Sequence, residues 1–257
     1  MIAQSLCAGG ARVIGIARNE SLLQQLAQKI TQQTQEELFT WHSFDLSNSE
    51  QVFEWADSLW QNYGPFDGVI HNAGVDAFQS FHQSNPQHIH KQLQLNLNTP
   101  ILMNRAFLPY MQQQQAPAVI IHMSSVAGYV PVPFGSVYSA SKAGLWIYNQ
   151  ALAQEYRGEH IRFVSIHPGF INGVGMHEKH KQIAGKAPMI LGGTQVQSVV
   201  DAVLKALVKG EGDYIVNRFP VRPLFPILYI FPTLYRWIAH RLVTPYLSKI
   251  AHYTKKE

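Results

Sequence analysis

Tyr138 and Lys142 stand four residues apart in Tyr138-Ser139-Ala140-Ser141-Lys142-Ala143. On a helix that spacing puts both side chains on one face. A phenol is a weak acid with a pKa of about 10, and a neighbouring ammonium favours its phenolate form. The pair is therefore suited to general acid/base work near neutral pH. Alone it is more often a solvated helix contact, so its neighbours matter. Ser124-Ser125 closes the apolar run Val119–Met123. A hydroxyl at the carboxyl end of a parallel strand lies where ligands bind in open sheets, and it can polarise a carbonyl. The plain alternative is a serine capping a turn. His71-Asn72-Ala73-Gly74 closes another apolar run; small residues there let the backbone approach a flat ligand. Asn96, between Leu95 and Leu97, is either a satisfied core amide or a functional group, because asparagine is a mediocre helix former.

The elements that must position these groups alternate along the chain. Strands are predicted at Ala11–Ala17, Leu38–Phe44, Gly68–His71, Val119–Met123, Arg162–His167 and Asp213–Val216. Helices are predicted from Glu20 to about Gln35, over Asn48–Asn62, from about Pro86 to Met111, over Val137–Tyr156, and from a Thr194 cap to Lys209 with Gly210 as the stop. This alternation means an α/β fold: a single doubly wound, Rossmann-like parallel sheet covered on both faces.

In order, Asn72-Ala73-Gly74, Asn96, Ser125, Tyr138-x-x-x-Lys142 and Pro168-Gly169 resemble the classical short-chain dehydrogenase/reductase family, from Met1 to about Val216. The resemblance implies roles. Tyr138 would exchange a proton with the substrate oxygen, and Ser125 would hold that oxygen. Lys142 would favour the phenolate and grip the nicotinamide ribose, and Asn96 would hold a water linking Lys142 to solvent. Asp45 and Leu46 would flank the adenine. Asn72, Ala73 and Gly74 would lie beneath the cofactor, and Pro168, Gly169 and Ile171 would cradle the nicotinamide. NAD-selective relatives carry an acid at the end of the second strand; here that end reads Ala17-Arg18. A guanidinium suits a ribose 2′-phosphate, so NADP is the expected cofactor and NAD the alternative.

The chain departs from the family pattern twice. Gly173 stands where a threonine is expected. Met1–Leu6 also reads as the middle of the first helix, with Gly10-Ala11 as its exit, so the family's first strand and glycine-rich phosphate turn are missing. That turn places the pyrophosphate at a helix N-terminus. The expectation is an N-terminally truncated domain, with an open slot in the sheet or an irregular pairing across it. A non-catalytic remnant that binds without turnover is the competing reading.

Composition narrows the rest. The 257 residues are 46% hydrophobic and carry a formal net charge of +4, which suits a packed domain rather than a disordered chain. The cations are scattered, so no dense face for nucleic acid is expected. Cys7 is the only cysteine, which leaves no internal disulfide and fits a cytoplasmic setting. The 12 histidines show no helical zinc spacing, and surface or loop positions are expected for them. Residues 1–218 form the catalytic domain in this reading, and 219–257 form a hydrophobic extension. In that extension Pro232 starts a helix with Trp237 and Ile238, and Arg218, Arg222, Arg236 and Arg241 are interleaved. A subunit contact or packing on the domain, a lid over an apolar substrate, and a peripheral membrane contact all fit it. The reading in full is NADP-linked interconversion of a small apolar carbonyl and its alcohol, by an enzyme whose family resemblance implies a homo-oligomer.

Overall fold

A computed structural model describes residues 1–48, 50–172, 182–185, 188, 193–217 and 222–253. Gly173, most of the loop that follows it, Arg218 and the Lys255-Lys256 pair lie outside these. Helix α1 (Ile2–Ala8) leads into β1 (Val13–Ala17), then α2 (Glu20–Thr34) and β2 (Phe39–Ser43). Asn19 caps α2, its side chain accepting from the Leu22 amide at 3.0 Å. Next come α3 (Val52–Tyr63), β3 (Gly68–His71), α4 (Pro86–Leu93), a π-helical turn (Gln94–Asn98), α5 (Thr99–Gln114), β4 (Ala118–Met123) and α6 (Ser136–Glu155). Then follow β5 (Ile161–Pro168), the short β6 (Ile171–Asn172) and β7 (Thr194–Gln195), α7 (Val196–Lys209) and β8 (Asp213–Val216). Three short helices finish the described chain: α8 (Leu224–Ile230), α9 (Pro232–Ile238) and α10 (Thr244–Tyr253).

The strands pair in parallel as β3-β4-β5-β8, with β1-β2 and β6-β7 as separate two-stranded ladders. β1 and β3 share no ladder. The central strand β4 is buried at every residue, as a parallel strand covered on both faces requires. Alternation along it feeds two cores. Ile120 packs with Ala56, Leu59 and Trp60 of α3 and Met103, Phe107 and Met111 of α5. Val119 and Ile121 pack with Val199, Val203 and Ala206 of α7. Phe107 is 1% exposed, and truncating it to alanine should cost about 3–5 kcal/mol.

The structure corrects several local expectations. Thr194 pairs in β7 and does not cap α7, whose N-cap residue is Gln195. The helix expected from Pro86 to Met111 is continuous but carries the π-helical turn within it. β1 is only half-buried, with Ile14 and Ile16 against the α3–α5 core and Val13 against α1 and α2. The histidines are not all peripheral: His71, His122 and His167 lie buried in strands.

Candidate active site

Parallel strands end on one edge, and the family-like residues sit there. Ser125 follows β4 and opens a 3₁₀ turn at Val126–Gly128, its hydroxyl accepting from the Ala127 amide at 3.1 Å. This turn packs tightly on α6. A Cβ at Gly128 would lie 3.0 Å from the Lys142 carbonyl oxygen, so a side chain there would push the serine away from the helix that carries Tyr138. Ser124 fixes the same contact by donating to the Lys142 carbonyl at 2.9 Å.

The Ser125 hydroxyl lies close enough to Tyr138 to act on its proton. Burial raises Tyr138 to about 12, with the nearby charge of Asp76 adding to the rise and Ser125 opposing it. Lys142 Nζ lies 6.0 Å from the centre of the Tyr138 ring and donates to the Met123 carbonyl oxygen at 2.7 Å. Burial lowers Lys142 to about 8. The ammonium is engaged by the end of β4 while it sits beside the Tyr138 ring.

Asn96 sits in the π-helical turn and is fully buried. Its amide brackets Val75, with Oδ1 accepting from Val75 N–H at 2.9 Å and Nδ2 donating to Val75 C=O at 2.8 Å. Nδ2 also reaches the Ser141 hydroxyl at 3.1 Å. The asparagine therefore clamps the segment after β3 to α6. A Cβ at Gly74 would lie 3.1 Å from Asn96 Oδ1 and 3.4 Å from Lys142 Nζ, so this glycine leaves its backbone open beside the lysine. Asn72 and Ala73 are exposed just before it.

Pro168 ends β5, and the Gly169 amide donates to the Val216 carbonyl at 3.0 Å. Ile171 lies half-buried in β6, against the α7 side of the core. Arg18, Asp45 and Leu46 form a second group at the ends of β1 and β2. Arg18 Nη1 lies 3.9 Å from Asp45 Oδ2, both exposed. Burial works to raise the Asp45 carboxyl, but hydrogen bonds from Ser47 and the charges of Arg18 and Lys91 outweigh it and hold the group below its usual range. The influence of Lys91, on α4, and a bond from the Thr99 hydroxyl to the Leu46 carbonyl tie this group to the helix that supports Asn96.

Sequence reasoning missed three features. Asp76 stands close enough to oppose Tyr138 ionisation. His167 Nδ1 lies 3.4 Å from the Ser125 carbonyl oxygen and its Nε2 3.4 Å from Asp213, so it backs the serine turn. A buried chain also runs His71–Asn104–His122–Asn149, with contacts of 2.7, 2.9 and 2.7 Å. Its available signal was a histidine inside the apolar run Ala-Val-Ile-Ile-His-Met.

A family model described as short chain dehydrogenase matches residues 1–184. This chain belongs to the short-chain dehydrogenase family. As a short-chain dehydrogenase it is an NAD(P)-linked oxidoreductase acting on CH–OH groups. Among curated relatives, the ketoacyl reductase HetN of Nostoc sp. is 29% identical over 92% of this chain and 83% of its own length. The uncharacterized oxidoreductase YciK of Escherichia coli is 33% identical over 62% of this chain and 64% of its own. A solved metagenomic short-chain oxidoreductase in complex with NADP is 28% identical, with a TM-score of 0.68 over 84% of this chain and 89% of that one. A short-chain dehydrogenase from Streptomyces avermitilis, at 21% identity, shares the fold with a TM-score of 0.74 over 93% of this chain and 89% of its own.

Proposed function

We propose that this dehydrogenase interconverts an apolar carbonyl compound and its alcohol with NADP(H), using Tyr138 as acid/base. The nearness of the Ser125 hydroxyl to Tyr138 carries the reading. A carbonyl oxygen placed between them accepts from both. Tyr138 stays protonated across the working pH range, so it presents an O–H rather than a phenolate and delivers its proton during reduction. Ser125 holds the oxygen as negative charge builds on it. Lys142, charged and 6.0 Å from the ring centre, stabilises the phenolate left behind. Asn96 acts as a positioning residue by fixing Val75 beside Lys142.

The residues present fit the two ends of a dinucleotide. Gly74 leaves its backbone open beside Lys142, with Asn72 and Ala73 exposed along the same edge. Pro168, Gly169 and Ile171 would cradle the nicotinamide. Arg18 would meet a ribose 2′-phosphate in the open depression lined by Ala17, Arg18, Asn19 and Glu20, with Asp45 and Leu46 beside the adenine. A bound nicotinamide supplies or accepts the hydride. The apolar cluster of Phe78, Val126, Tyr129 and Val130 borders the Ser125 turn, which supports an apolar substrate.

The test is NADPH consumption with a panel of hydrophobic ketones. Tyr138→Phe should lower kcat by at least about a hundredfold, while NADPH binding, followed by fluorescence, holds. A Tyr138→Phe enzyme within a few-fold of wild type would overturn the assignment.

A further inference from the structure

Helices α8 to α10 are apolar on two opposite faces. One face is buried: Phe225, Leu228, Tyr235, Val243 and Leu247 pack with Phe78, Val126, Tyr129 and Val130 of the body. Tyr235 adds a hydrogen bond to the Pro131 carbonyl. Ile227, Ile230, Leu234 and Trp237 follow at three- and four-residue steps, and they, Phe231 and Leu242 are open to solvent. Ile230 is 68% exposed and Trp237 57%. A helix layer that only covered a domain would need a single stripe.

Among the described residues of this layer, 222–253, the charges have one sign: Arg222, Arg236, Arg241 and Lys249, with no aspartate or glutamate. Arg236 and Arg241 are exposed. The Arg241 guanidinium lies 4.7 Å from the centre of the Trp237 ring, which sets a cation directly beside the apolar stripe. Pro226 and Pro232 keep the segments short, and no described helix is long and apolar enough to cross a membrane.

We propose that the outer face of α8–α10 docks in the plane of an anionic lipid bilayer. Ile230, Phe231, Leu234 and Trp237 would enter the headgroup–acyl boundary, with Arg236 and Arg241 meeting lipid phosphates. A second copy of the chain fits this face poorly. A two-fold contact sets the same patch against itself, so Arg236 and Arg241 would enter a seam to which residues 222–253 bring no carboxylate. Docking by this face is independent of the redox chemistry, so the two assignments fail separately.

The full chain is floated on density gradients with vesicles of phosphatidylcholine alone and of phosphatidylcholine mixed with phosphatidylglycerol, at low and high sodium chloride. Flotation with the mixed vesicles is expected, weakened by salt. The double variant Ile230→Ser, Trp237→Ser should bind at least about tenfold less. Arg236→Gln with Arg241→Gln should lose the preference for phosphatidylglycerol. All four side chains are exposed, so each variant should keep the wild-type melting temperature; agreement of the two variant pairs guards against a folding defect in one. No flotation, or flotation unchanged by both pairs, overturns the proposal. So does a self-association seen by ultracentrifugation that Ile230→Ser, Trp237→Ser abolishes while wild type fails to float.

Discussion

Lys142 Nζ donates to the Met123 carbonyl oxygen at 2.7 Å, which ties the acid/base helix to the last residue of the central strand. The ammonium is buried there, and its pKa falls from 10.5 to about 8. The unfolded chain keeps this proton up to about 10.5 and the folded chain releases it near 8, so stability rises with pH between those values. Below pH about 8 the cost of burying the charge is fully present. Wild type should therefore gain stability to urea relative to Lys142→Met as pH rises from about 8 to about 10. A difference that stays flat over that window would refute the assignment.

Asp76 opposes loss of the Tyr138 proton through its charge. Asp76→Asn should lower the Tyr138 pKa and move the alkaline limb of carbonyl reduction to lower pH. The pH profile of kcat/KM on one ketone measures this. An alkaline limb that does not move, or moves upward, would separate Asp76 from the tyrosine.

The stacked imidazoles of His71 and His122, 5.0 Å apart, bear on acid stability. Burial lowers His71 from 6.5 to about 4. It lowers His122 to about 3, helped by the charge the His71 ring would present to it. Both are neutral in the folded chain, so as pH falls below about 6.5 the unfolded chain takes up protons that the folded chain refuses. Stability is unaffected above that value and declines toward pH 4. For His71 alone the loss is about 3 kcal/mol. Denaturant titrations from pH 7 to 4 should show this decline in wild type, and His71→Asn should flatten it.

Arg18 faces Asp45 at 3.9 Å in an exposed pair, a contact that contributes little to stability and leaves the guanidinium available for another anion. Arg18→Asp should lower the kcat/KM ratio of NADPH over NADH by about ten- to hundredfold. Retention of the wild-type ratio would mean that Arg18 does not reach the 2′-phosphate.

What could be read from the sequence follows from period and punctuation. Gly68–His71 is found at its predicted bounds because a short apolar run stands between turn residues. Tyr138 and Lys142 share a helix face because their spacing allows little else. The π-helical turn was not legible, since Asn96 gains from it only after Val75 and Ser141 arrive from distant elements. The buried histidines were hidden for a related reason. An imidazole becomes a core residue only when amides complete its bonds, and Asn104 and Asn149 lie on other elements. Four-residue spacing reports that Lys142 is near Tyr138 and says nothing of the burial that lowers its pKa.

The separation of the β1-β2 ladder from β3-β4-β5-β8 sets how this molecule opens. A two-stranded ribbon is marginal unaided, so Val13–Ala17 is held by its packing with α1, α2 and the α3–α5 core. In native-state hydrogen exchange its amides belong to a low-energy opening unit, whereas those of Ile120 and Val164, paired within the larger ladder, exchange only when the whole domain unfolds. A ligand touching both Arg18 and Lys142 would join the two units, and its binding would be read as slowed exchange in a strand it need not contact.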